Sequence, residues 1–154
     1  MKGRDRIRAA HGFSLIELVV TILIAGILAA LAFPNFNQPQ IDATWFHEQV
    51  KAAVRYAQRE AVAQRRCVFV SVTTATKLEL FYGNPGCTAP IATPLTQITT
   101  GGPYTLEARA GSGVTLSASV SPFSFNGLGQ PSAGVTITVG GKSITVTAET
   151  GYVK

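Results

Sequence analysis

Apolar residues crowd one stretch of the chain, then thin out into periodic patterns. Residues 13–33 read FSLIELVVTILIAGILAALAF, where seventeen of 21 positions are apolar and Glu17 is the only charge. As a helix this run rises roughly 32 Å, about the thickness of a bilayer's ~30 Å hydrocarbon core. Pro34 has no N–H and predicts a kink or an end to that helix, and Pro39 predicts a second break, so residues 34–40 read as a loosened hinge. Beyond it Phe46, Val50, Ala53, Val54, Ala57 and Ala61 recur at helical spacing. They predict a second helix over about 44–66, capped by Asp42 or Thr44, with alanines suited to close approach to a sheet.

After Arg66 the period changes to two. Residues 67–72 (CVFVSV) and 77–82 (KLELFY) predict a hairpin across residues 73–76. Residues 83–103 read as a long Pro/Gly/Thr loop, 104–109 and 114–120 as further strands, and Phe123-Ser124-Phe125 as the approach to a turn-rich segment. Residues 135–139 and 142–147 flank Gly140-Gly141, the chemistry of a two-residue hairpin turn. Their alternation of branched apolar residues with Thr or Ser predicts one buried and one wet face. Tyr152-Val153 adds a last short strand. The expected class is α+β: a long N-terminal helix, half transmembrane and half soluble, packed on an antiparallel β-sheet head.

Charge sharpens this picture. Of 154 residues only 14% are charged, yet the net charge is +5 and the pI about 9.6. Residues 1–12 carry Lys2, Arg4, Arg6 and Arg8 against Asp5, so +3 of the excess precedes the apolar run. The positive-inside rule then predicts a cytoplasmic N-terminus and an exported head. The basic pI is largely a topology signal, and a charge-rich disordered tail protein is excluded. A secretory signal peptide fits poorly, because its apolar core would be shorter and followed by a cleavage site; Ala29-Ala30-Leu31-Ala32 is the only such candidate.

Glu17 is the costly residue of the span, since a carboxylate there needs compensation. Two readings stand. Cleavage after Gly12 would give Phe13 an α-amine, which Glu17 of a neighbouring subunit neutralises; otherwise Glu17 is protonated near the interface without a partner.

Gly12-Phe13-Ser14-Leu15-Ile16-Glu17-Leu18 resembles the class III signal of type IV pilins and type II secretion pseudopilins. The resemblance implies a leader over 1–12, a transmembrane and assembly helix over 13–34 and a head over 35–154, helical over about 44–66 and β-rich over 67–154. It further implies cleavage between Gly12 and Phe13 by a prepilin peptidase, N-methylation of Phe13 by the same enzyme, an assembly role for Glu17, and a helix kink at Pro34. The head resembles the GspH/FimT group through Arg59-Glu60-Ala61-Val62, the F-S-F and N-G-L-G-Q-P stretch of residues 120–134, and the closing hairpin with Thr150-Gly151-Tyr152-Val153.

The two cysteines, Cys67 and Cys87, both fall on the oxidising side, where disulfides persist. The readings are a disulfide, or a buried free Cys67 with an exposed Cys87. His47 is the one histidine after the leader and reads as a partly exposed residue at a helix start. It and two distant cysteines do not make a zinc site, no G-x-S-x-G elbow is present, and the Gly-rich stretches do not precede helices. No enzyme, metal or cofactor is expected.

The function so implied is a minor pilin or pseudopilin, a structural or priming subunit of a type IV pilus or type II secretion pseudopilus. Its expected partners are the prepilin peptidase, other pilins, the inner-membrane assembly platform and the bacterial inner membrane, with the head periplasmic before assembly. The alternative is a FimT-like minor pilin that binds DNA for uptake. Such proteins carry a G-R-x-R tail; here Gly151-Tyr152-Val153-Lys154 keeps the glycine and one cation but has tyrosine at the first arginine. Tyr152 would stack on a base, and Lys142 or the Lys51, Arg55, Arg59 and Arg66 stripe would add phosphate contacts. A solvated helix face, with Glu48 pairing Lys51, is the competing reading of that stripe. A major pilin is the third, less well matched role.

Overall fold

The structure is a computed structural model that describes residues 13–32 and 38–154. The leader with Gly12, and the kink expected at Pro34, lie outside the described residues. The chain divides into two compact units, the second beginning at Asn37.

The first unit contains α1, Leu15–Ala32, 18 residues long. Ser14 caps it: its Oγ accepts a hydrogen bond from the Glu17 N–H at 3.2 Å, and its carbonyl accepts from the Leu18 N–H at 3.2 Å. Ser14 thus occupies the cap position and Glu17 the third helical position of an S-x-x-E sequence, where a carboxylate also meets the positive end of the helix dipole. The cap places the helix start two residues into the apolar run, and its 18 described residues rise about 27 Å. Among the described residues no helix is long and apolar enough to cross a membrane. Apolar side chains circle α1 and are exposed from Phe13 to Leu28, a surface that requires cover from lipid or other helices.

The second unit, the head, opens with α2, Gln38–Gln64. It begins earlier than expected. Pro39, read as a breaker, lies in the first helical turn, where its missing N–H would have no intrahelical partner. Asp42 and Thr44 are therefore inside the helix and do not cap it. Thr44 Oγ donates to the Gln40 carbonyl at 2.8 Å and accepts from Lys142 Nζ at 2.9 Å, while Asp42 Oδ1 lies 3.7 Å from Arg109 Nη1. The helix ends two residues before Arg66. The Arg65 N–H bonds the Val62 carbonyl (3.3 Å) and the Arg66 N–H bonds the Ala61 carbonyl (3.1 Å). This is a Schellman closure with Arg65 at φ +49°, a left-handed position that glycine usually fills.

Two antiparallel sheets complete the head. The strands are β1 Val68–Thr74, β2 Lys77–Gly83, β3 Pro90–Pro94, β4 Thr105–Glu107, β5 Leu116–Ala118, β6 Phe123–Phe125, β7 Val135–Val139 and β8 Lys142–Val146. One sheet runs β3-β2-β1-β6, with β4 pairing the first residues of β2 and β3 its last; the other runs β5-β7-β8. The first hairpin pairs Val72 with Leu78 and Thr74 with Lys77, and the last pairs Val135 with Val146 and Val139 with Lys142. Gly140 and Gly141 have φ +54° and +84°, as a primed hairpin turn requires. A side chain at Gly140 would also place Cβ 2.7 Å from Ala43 Cβ, so glycine lets the turn reach α2.

Two expectations change. The supposed loop of 83–103 contains β3, an exposed edge strand with proline at both ends, a placement open to proline only at an edge. Phe123-Ser124-Phe125 is itself a strand, buried along its length and paired with Val68–Val70.

The helix packs on β1, β6 and β7, and so bridges both sheets. Its predicted stripe of Phe46, Val50, Ala53, Val54, Ala57 and Ala61 is buried throughout and meets Val68, Val70, Leu80, Phe123, Phe125, Ile137 and Ile144 in one core. Each large member contributes about 1.5–3 kcal/mol of transfer free energy.

Candidate functional site

Two regions carry the candidate chemistry. The first is the start of α1. Phe13 precedes the cap residue Ser14, and Glu17 lies in the first turn of a helix whose other described side chains offer no cation. This region holds an acid at the N-terminal end of an apolar cylinder and no partner for it within the same helix.

The second region is the C-terminal tail of the head. The tail returns along β8: Val153 bridges Val146, and Thr145 and Lys154 exchange backbone hydrogen bonds of 3.1 and 2.9 Å. Two side chains of α2 hold it down. Arg55 Nη2 donates to the Val153 carbonyl at 3.0 Å, and Gln58 Nε2 donates to Gly129 (2.9 Å) and Thr150 (3.4 Å) carbonyls. Gly151, at φ +68°, is buried where a Cβ would stand 2.5 Å from Gln58 Nε2 and 3.4 Å from Phe125 Cε1. Gly151 is therefore a packing residue. Tyr152, 63% exposed, and Lys154 point outward from the same strand. Lys142 is bound to Thr44 near the start of α2.

The basic stripe stops short of Arg66, and one of its members is also a tail anchor. Arg55 reaches the tail, whereas Arg66 lies past the helix end with its guanidinium 4.5 Å from the Tyr82 ring centre, a cation–π contact. Tyr82 Oη in turn accepts from Gln64 Nε2 at 3.0 Å, and Gln64 also contacts Glu60. Glu48 meets His47 Nδ1 at 3.2 Å, and no Glu48–Lys51 ion pair forms among the described residues.

His47 is buried, contrary to expectation, with Nε2 lacking a hydrogen-bond partner among the described residues. It falls three residues before Val50 and seven before Val54, so the apolar period could have placed it inward. No group of three or more metal-ligating side chains occurs among the described residues. The S-x-x-E cap was likewise available as a sequence signal. The tail-holding roles of Arg55 and Gln58 had none.

Cys67 and Cys87 are joined with Cα atoms 5.6 Å apart. The bond ties the start of β1 to the turn after β2, beside a cleft of about 360 Å³ lined by Arg65, Arg66, Asn84 and Gly127. Gly83 permits this join: a Cβ there would lie 2.7 Å from Cys67 Cβ and 2.8 Å from Phe69 Cε2. Asn84 organises the turn, its Oδ1 accepting from the Thr88 N–H at 2.9 Å.

An apolar N-terminal helix with one acid, joined to a head in which a second helix bridges two antiparallel sheets, defines the pilin and pseudopilin class of structural subunits. Residues 7–33 match the prokaryotic N-terminal methylation motif, and residues 48–151 match the family described as type II transport protein GspH. The chain belongs to that GspH family. Its members are structural subunits and not enzymes. The fold is similar to the type IV minor pilin FimU of Pseudomonas aeruginosa (TM-score 0.53, 19% identity, covering 79% of this chain and 90% of that one). It is also similar to the minor pseudopilin EpsH of the Vibrio cholerae type 2 secretion system (TM-score 0.54, 10% identity, 77% and 94% covered). A curated relative, the type IV narrow pilus major component PilA5 of Thermus thermophilus, is 44% identical over 64 residues, or 37% of this chain. The match spans half the length of that relative.

Proposed function

We infer that this chain is a minor pilin or pseudopilin that is cleaved between Gly12 and Phe13, methylated on Phe13 and built into a type IV pilus or type II secretion pseudopilus. One observation carries the reading: an N-terminal methylation motif and a GspH head follow one another in the same chain. Before assembly the apolar helix sits in the inner membrane with its N-terminus cytoplasmic and the head periplasmic. The prepilin peptidase, the assembly platform and other pilins are its partners. In the fibre, the exposed apolar surface of α1 packs among the equivalent helices of neighbouring subunits. Glu17 is neutralised there by the α-amine that cleavage creates, which removes the cost of an unpaired carboxylate and favours one axial register. The Cys67–Cys87 disulfide closes in the oxidising periplasm. Replacing Glu17 with Ala tests the assembly step: cleaved protein is expected to accumulate in the membrane while its incorporation into sheared fibres falls. Normal incorporation would remove the role assigned to Glu17.

A second reading, DNA binding by the head, is favoured by the Arg55–Val153 hydrogen bond, which brings a cation beside Tyr152 and Lys154. Gly151 supports that surface from below, whereas Lys142 lies on the Ile144 and Val146 side of β8, held by Thr44 of α2, and does not extend it. Gel shifts of single-stranded DNA against salt test it: two or three phosphate contacts give a slope of log K on log salt of roughly −1.5 to −2. Absence of a shift at low salt would refute it.

A further inference from the structure

We propose that the first two turns of α2 form a lipid-docking surface, through which the head rests on anionic phospholipid before the subunit enters a fibre. The proposal rests on the membrane-anchored subunit reading and adds to it a lipid contact made by the head itself.

The outer face of α2 changes character along its length. It reads Ile41, Trp45, Glu48, Ala52, Arg55 and Arg59, all exposed, so its large apolar side chains are confined to the end that follows α1 in the chain. Trp45 is 67% exposed and Ile41 42%. An indole left this open keeps most of its apolar area in water until something covers it. Glu48, one turn past Trp45, begins the polar part of the same face.

A cation flanks the apolar end on either side. Thr44 and Asp42 stand about 80° to the left and right of the line midway between Ile41 and Trp45. Lys142 Nζ donates to Thr44 Oγ1 at 2.9 Å, and Arg109 Nη1 lies 3.7 Å from Asp42 Oδ1. Both cations are delivered by built contacts. Gly140 lets the β7–β8 turn close on Ala43, which brings Lys142 to the helix, and the Ser112 N–H bonds the Arg109 carbonyl at 3.1 Å, fixing the turn that carries Arg109. The Arg109 side chain is 72% exposed, so its remaining N–H groups, like two of the three on Lys142, can reach phosphate oxygens.

Two features select a bilayer as the occupant. A tryptophan between cations matches the headgroup region, where the ring lies at the acyl boundary and the cations meet lipid phosphate. The second feature is the tether. Six Cα–Cα steps separate Ala32 of α1 from Gln38 of α2, a reach of at most about 22 Å, so with α1 in a bilayer this end of α2 cannot leave the neighbourhood of its surface.

Trp45 is the only tryptophan of the chain, so its fluorescence reports on this surface without a label. The full chain is reconstituted in vesicles of phosphatidylcholine and phosphatidylglycerol, with ordinary acyl chains or with acyl chains brominated near the headgroup. Brominated lipid is expected to lower Trp45 emission at least about 2-fold, as for a ring at the acyl boundary. Vesicles of phosphatidylcholine alone are expected to lose at least half of that quenching, and so is the double variant Arg109→Glu, Lys142→Glu in mixed vesicles. Quenching that is equal with and without phosphatidylglycerol would show that the tether alone brings Trp45 to lipid, and would overturn the proposal. So would a double variant that is quenched like the parent. Intact Cys67–Cys87 bonding and an unchanged circular dichroism spectrum establish folding of the variant, and the lipid comparison decides without it. A chain that floats with the vesicles while Trp45 stays unquenched overturns this contact and leaves membrane anchoring standing. A chain that does not float with them overturns both.

Discussion

Gly151 separates a packing role from a binding role by direct measurement. Replacing it with Ala adds one methyl group at a residue with φ +68°. The left-handed backbone alone costs an L-residue about 1–2 kcal/mol. The methyl would also overlap the Gly129 carbonyl oxygen and lie 2.5 Å from Gln58 Nε2, with Phe125 Cε1 at 3.4 Å behind it. Backbone and a hydrogen-bonded amide cannot move aside cheaply, so an overpacking cost of about 1–3 kcal/mol is added. The sum is about 2–5 kcal/mol. Gly141→Ala is the matched control, since Gly141 has φ +84° but nothing within 4 Å of its added Cβ. It should lose only the backbone part, about 1–2 kcal/mol. Urea unfolding of the oxidised head from Gln38 onward measures both. With a slope near ~2 kcal/mol per M, Gly151→Ala lowers the midpoint by roughly 1–2.5 M and Gly141→Ala by roughly half that or less. A Gly151→Ala midpoint no lower than that of Gly141→Ala would refute the docking of the tail against Gln58 and the β6–β7 loop.

Arg65→Gly should raise head stability by about 0.5–1 kcal/mol, because glycine adopts the left-handed closure of α2 without strain; a loss of stability would show that the Arg65 side chain contributes more than its backbone costs. The oxidised head, denatured without reductant, should show no reactive thiol, and Cys87→Ser should cost about 3 kcal/mol for a loop of this length; two titrating thiols would refute the bond. Tyr104 is pushed above the ordinary phenol value of 10.0 by burial, and Tyr56, stacked on it with ring centres 5.2 Å apart, is raised by burial first and by the nearby Glu60 carboxylate second. The folded state then holds these protons more tightly than the unfolded state, so stability is intact below about pH 10 and falls as pH rises beyond it. Unfolding midpoints that do not change between about pH 9 and 12 would contradict that order.

What the sequence reveals about this molecule follows the range of the interaction concerned. The apolar stripe of α2 and the two Thr-rich hairpins were legible, because burial in a helix or a half-wet strand imposes its period on adjacent residues. Glu17 was legible for a related reason: one acid in an apolar run violates the local pattern, and such violations point to function. β3 was hidden because its two prolines erase the signal of an edge strand. The extra turns of α2 were hidden because Pro39 ends a helix in its middle but not in its first turn. The packing of the tail was hidden for a deeper reason. Gly151 stands where a binding motif has a glycine, yet its surroundings come from Gln58 and Gly129, residues brought together by hydrogen bonds spanning 71 to 98 positions. Arg55 likewise reads as one cation of a stripe, and its second role, a bond to Val153 98 positions away, left no local trace. The same long-range closure makes the outer face of α2 uneven. It anchors the tail in the middle, leaves Trp45 and Glu48 exposed at one end, and sets Leu128 beside Val62 and Arg65 at the other. A helix face that has to meet lipid at one end and water along the rest needs such unevenness, since a uniform face would suit only one of them.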